Sequence, residues 1–167
     1  MNELGRSGFM TVAASSMVKR VWAGAIGGLV ASILTGGLGV AASQGTNEEV
    51  FFIAIARDWG LGDSSPAGGW ALHLLTGLVV GAVILGVTSR IPMLGLTTWP
   101  RAIGIGLGAG ILVWIVLLYP LAVLFIPESF TANEVMGTLI GHVIFGVVTA
   151  IIAVTVLRRS RTVKPGA

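Results

Sequence analysis

The 167 residues form one chain of ordinary domain size, 54% hydrophobic and only 10% charged, with a mean hydropathy of +0.94. A globular domain carries about 25% charged residues to cover its surface, so a water-soluble fold is excluded and lipid is the expected solvent. The net charge of +3 sits in short segments between apolar runs, a topological pattern and not a nucleic-acid face, and the lack of cysteine excludes disulfides, thiolate metal sites and cysteine nucleophiles.

Residues 1–18 are mixed and weakly apolar, without the apolar core and small-residue cleavage site of a secretory signal. They are expected to be a disordered cytoplasmic segment, and a translation start at Met1 or at Met17 fits equally. Beyond them no charge lies between Arg20 and Glu48, Asp63 and Arg90, Arg101 and Glu128, or Glu134 and Arg158. Each gap exceeds the roughly 20 residues a helix needs to cross the hydrocarbon core. Backbone groups in lipid must bond within their own segment, and no run alternates as barrel strands do. Four membrane-spanning helices are therefore predicted near 21–42, 69–87, 102–125 and 135–157, within a transmembrane domain at 19–158 and before a basic tail at 159–167.

Between the first two spans, residues 48–59 are apolar in the middle and charged at both ends. This stretch is too short to span and predicts a helix lying on the membrane surface. Residues 60–69, with Ser64-Ser65-Pro66, then turn the chain back.

Lys19, Arg20, Arg90, Arg101, Arg158, Arg159, Arg161 and Lys164 fall on one side of the predicted spans. Arg57 falls on the other, with Glu48, Glu49, Asp58, Asp63, Glu128 and Glu134. Lys and Arg are retained in the cytoplasm, so both termini and the middle loop are expected inside a plasma membrane. Trp22 and Trp99 then lie at inner span ends and Trp59 and Trp70 at outer ones, at headgroup level. Trp114 falls mid-span and reads as a packing residue.

The second and fourth spans look alike. His73, Gly77 and Gly81 share one face of the second, and His142, Gly146 and Ala150 share one face of the fourth. The first and third share glycine-rich starts, Gly24/Gly28 and Gly104/Gly108. This pattern predicts a 2+2 parallel repeat of helical hairpins joined by close glycine contacts. If the two histidine faces meet, the imidazoles become neighbours at one depth in the outer half. Tyr119, Pro120, Thr35, Gly36, Gly37 and Gly39 are expected at the same level. Pro120 has no amide hydrogen, which predicts a freed carbonyl at Val116 and a kink. The candidate ligand site is thus His73, His142 and Tyr119, lined or packed by Gly36, Gly37, Gly77, Gly81, Pro120 and Gly146.

Ionisable residues inside spans are a functional hypothesis by default, and three readings stand. The histidines are hydrogen-bonding packing devices between helices; or they are the two axial ligands of a haem b, with glycines making room for the porphyrin; or they belong to a proton or small-solute channel or transporter subunit. A non-haem metal site is disfavoured because no carboxylate or cysteine lies in any span. Gly104-x-Gly106-x-Gly108-x-Gly110 follows no strand and is no nucleotide fingerprint, and no nucleophile–base set or phosphate loop is present. Catalysis by the chain alone is not expected. The expected partners are membrane lipids and either further copies of this chain or a larger membrane complex.

Gly69-Trp70-Ala71-Leu72-His73 with Gly77 and Gly81, Gly104 and Gly108 with Trp114 and Pro120, and Gly141-His142 with Gly146 give the chain a resemblance. It resembles a group of uncharacterised, small four-span membrane proteins of archaea, especially halophilic ones, sometimes labelled histidine kinases. The resemblance covers roughly residues 17–158 and implies an all-α four-helix membrane fold with a recurring histidine position. It implies no substrate or reaction. The chain has no ATP-binding or phosphoacceptor pattern, so the kinase label does not carry over.

Overall fold

A computed structural model describes residues 17–45, 49–61, 66–96, 98–120 and 132–162. The segments expected before residue 17 and after 162, and the predicted end of the third span past 120, lie outside the described residues. The described elements are helical: α1 (Met17–Ser43), α2 (Phe51–Asp58), α3 (Pro66–Arg90), α4 (Trp99–Val113) and α5 (Ala132–Thr162). A 3-10 turn at Pro92–Leu94 lies between α3 and α4, and α4 runs on through a wide π turn at Trp114–Leu118. α1, α3, α4 with its π turn, and α5 are each long and apolar enough to cross a membrane. The 27 residues of α1 reach about 40 Å, against a hydrocarbon core of about 30 Å. The protein is an all-α, multi-pass, four-span membrane bundle.

The spans stand in the order α3–α1–α5–α4, because α1 packs along both α3 and α5, and α5 along both α1 and α4. Gly24 and Gly28 of α1 meet Gly81 and Gly77 of α3, and Gly27 of α1 meets Thr149 of α5. Gly106 and Gly110 of α4 meet Gly146 and His142 of α5. Rising residue numbers on one helix meet falling numbers on the next, so each neighbouring pair is antiparallel.

The packing residues are small for a reason. Lipid tails are as apolar as leucine, so helices gain little from burying apolar surface against each other and must gain it from close contact. A Cβ at Gly28 would collide with the Gly77 carbonyl, and one at Gly106 would lie 2.6 Å from the Gly146 carbonyl. Alanine does the same work toward the Arg-rich end. Ala23, Leu85, Ala153 and Leu157 form one buried group, and Ala102, Ala150 and Val154 another. Leu96, in the connection between α3 and α4, packs against both.

Two expectations need correction. The histidine-bearing faces of α3 and α5 do not meet, because each is occupied by the glycine edge of its own hairpin partner, α1 or α4. The partner glycines on α4 are Gly106 and Gly110, whereas an added Cβ at Gly104 or Gly108 meets nothing within 4 Å. At Pro120 the ring that crowds the carbonyl four residues back is preceded by a widened turn, in which the Tyr119 amide donates to the Trp114 carbonyl.

α2 is seated at the end of the bundle opposite Arg90, Arg101 and Arg158. It stops in a Schellman motif: the Leu61 amide reaches the Ala56 carbonyl at 2.8 Å, the Gly60 amide reaches Arg57 at 2.8 Å, and Gly60 takes a φ of 69°. Gly68 and Gly69 let the start of α3 lie against the Leu61 carbonyl and the backbone of Ile53.

Replacing Gly28 or Gly81 with Leu is expected to lower the stability of the detergent-purified protein by about 1–3 kcal/mol, the usual cost of overpacking. Leu at Gly37 or Gly104, which face open space, should leave the unfolding midpoint within error. Thermal unfolding followed by circular dichroism checks the contrast.

Candidate functional site

The site begins with a backbone feature of α1. His73 on α3 places Nε2 3.0 Å from the carbonyl of Ser32. A carbonyl can only accept, so Nε2 carries a proton and donates it. The Thr35 hydroxyl lies 3.5 Å from the same nitrogen and donates to the Ala31 carbonyl at 3.0 Å. The imidazole is thereby tied to the helix beside it.

Aromatic rings enclose the other side of this imidazole. Phe52 of α2 stacks on it, with centroids 4.5 Å apart and planes 15° from parallel. Trp70 stands edge-on to both, 5.2 Å from Phe52 and 6.3 Å from His73. Such offset and edge-to-face pairs each add about 0.5–1.5 kcal/mol beyond burial. Gly36 makes the floor: a Cβ there would lie 2.7 Å from the Trp70 indole and 3.2 Å from the His73 ring. Gly39 lies beneath Val50 and Phe52. Trp70, expected at headgroup level, is instead turned inward onto Gly36.

His142 belongs to the other hairpin. Its Nδ1 is 2.8 Å from the Thr138 carbonyl one turn back on α5, so here Nδ1 carries a proton and donates it. Trp114 of α4 donates from Nε1 to Thr138 Oγ1 at 3.1 Å, and that hydroxyl donates to the Val135 carbonyl at 3.1 Å. Tyr119 packs beside Trp114, with centroids 5.5 Å apart, and is 47% exposed toward lipid.

The two histidines stand level along the bundle, although their faces do not meet. Thr149 lies beside Gly27, so His142, about two turns further along the antiparallel α5, is level with the Ser32 to Gly36 stretch that holds His73. The rings nonetheless hydrogen-bond to different helices. Of the predicted lining, Gly36 touches His73, Gly77 and Gly81 form the α1–α3 crossing, and Gly146 the α4–α5 crossing. Gly37 and Pro120 are exposed and stand outside both clusters.

Sequence reasoning missed Phe52, Ser32, Trp70 and Thr138 as members of these clusters. Phe52 is one of several apolar residues in a short surface helix, and only the rotation of that helix brings it to His73. The pair Gly68-Gly69 was a usable signal, since adjacent glycines at a helix start permit close seating of another backbone. Thr149 is missed as well; its hydroxyl and that of Ser32 are buried without a hydrogen-bond partner among the described residues. Also among the described residues, no group of His, Cys, Asp and Glu could hold a metal ion. At the surface of α2, Arg57 is paired with Glu49 and with Asp58.

Comparison with protein-family models, with curated proteins and with solved structures finds no match to this chain.

His73→Ala and Phe52→Ala should each loosen α2. Amide exchange at residues 51–58 is expected to quicken roughly three- to tenfold, as befits the loss of one aromatic contact. His142→Ala, which touches nothing on α2, should leave that exchange unchanged.

Proposed function

We propose that this chain is a non-enzymatic plasma-membrane protein, a structural or small-ligand-binding subunit with both termini in the cytoplasm. Its working element is the histidine–aromatic cluster that α2 covers on the outer side. The observation carrying this reading is the one-sided distribution of polarity. His73, Thr35, the Ser32 carbonyl, Trp114, Thr138 and His142 all lie toward the α2 end. Toward the other end the helices close on Ala23, Leu85, Ala153, Val154 and Leu157. In that half Thr88, Ser89 and Thr155 donate to carbonyls of their own helices. A one-ended polar cluster above an alanine and glycine seal suits a binding or docking role better than conduction.

Orientation follows from charge. Lys19, Arg20, Arg90, Arg101, Arg158 and Arg159 stand at one end, and Arg57 stands with Glu49 and Asp58 at the other. The basic end belongs in the cytoplasm by the preference of Lys and Arg for that side. The packing supports the proposed 2+2 repeat: His73 and Gly77 stand to Gly28 as His142 and Gly146 stand to Gly106. A haem held between His73 and His142 is the weaker reading. It would require His73 to release Ser32 and Phe52 to leave the imidazole face.

The cysteine-free sequence allows clean topology mapping. Asp58→Cys is expected to react with a membrane-impermeant maleimide on intact cells, and Lys19→Cys only after lysis; the reverse pattern inverts the orientation. Protein purified from haem-replete cells should lack a Soret band, and proteoliposomes should pass protons no faster than empty ones. A Soret band lost on His73→Ala or His142→Ala, or a proton flux abolished by them, overturns the proposal.

A further inference from the structure

We draw no further inference here: the strongest candidate, the outward face of α4 on which Gly104 and Gly108 lie open beside the exposed Ile103, Leu107 and Leu112, carries none, because nothing in the structure shows what covers it.

Discussion

Everything in this bundle depends on how closely helix backbones can approach when the solvent is lipid. Water drives soluble helices together by expelling apolar surface, but hydrocarbon offers no such gain, and what remains is dispersion at short range. Gly24 and Gly28 against Gly81 and Gly77, and Gly106 against Gly146, bring backbone directly onto backbone. Ala23, Ala102, Ala150 and Ala153 continue these seams toward the basic end. The bulky side chains meanwhile point outward: Ile33, Leu75, Val83, Leu112 and Ile140 are all more than half exposed. The arrangement inverts a soluble core, with small residues inside and large ones facing the solvent that suits them.

This constraint makes α1 the organising helix. Gly24 and Gly28 open one of its faces to α3, while Ala23 and Gly27 open another to α5. Two neighbours can approach closely on two faces, so α1 sits between them and α3 and α5 scarcely touch. The position of His73 then follows. The Gly77 to Gly81 seam fixes the rotation of α3, and His73, one turn beyond Gly77, comes to rest against the Ser32 carbonyl. A hydrogen bond in hydrocarbon gains from the absence of competing water, yet its measured worth between membrane helices averages only about 0.6 kcal/mol. The glycine seam therefore positions the histidine, and the histidine does not hold the seam.

The number of apolar spans and the common level of the two histidines along the bundle were legible from the residues, because both rest on one-dimensional information: gaps between charges, and distance along a helix of known rise. Rotation was not legible. A helix apolar all round carries no stripe to say which face turns inward, and glycines lie on several faces of α1 and α4. Gly104 and Gly108 have the same spacing as Gly106 and Gly110, yet only the second pair is used. Trp70 was read by its depth, which matched an interfacial belt, whereas Gly36 opposite it supplied a niche. The short helix α2 was legible from its apolar middle and charged ends, but the rotation that brings Phe52 onto His73 was not.

The two hairpins share a seam but differ in where they place aromatic bulk, and this difference separates the histidines. In the first, α1 offers Gly36 and α3 offers Trp70, so the indole fills the space over α1 and leaves His73 accessible to Phe52 of α2. In the second, the bulk is on α4 as Trp114, which bonds across to Thr138 of α5. Thr138 also gives His142 its carbonyl partner, so that imidazole is satisfied within its own helix. His73 is bonded to one neighbouring element and stacked on another, and His142 to neither. A change in the state of His73 would therefore reach α1 and α2 at once, while the same change at His142 would be absorbed by a single turn of α5. If one histidine links the bundle interior to the helix that caps it, the geometry gives that part to His73.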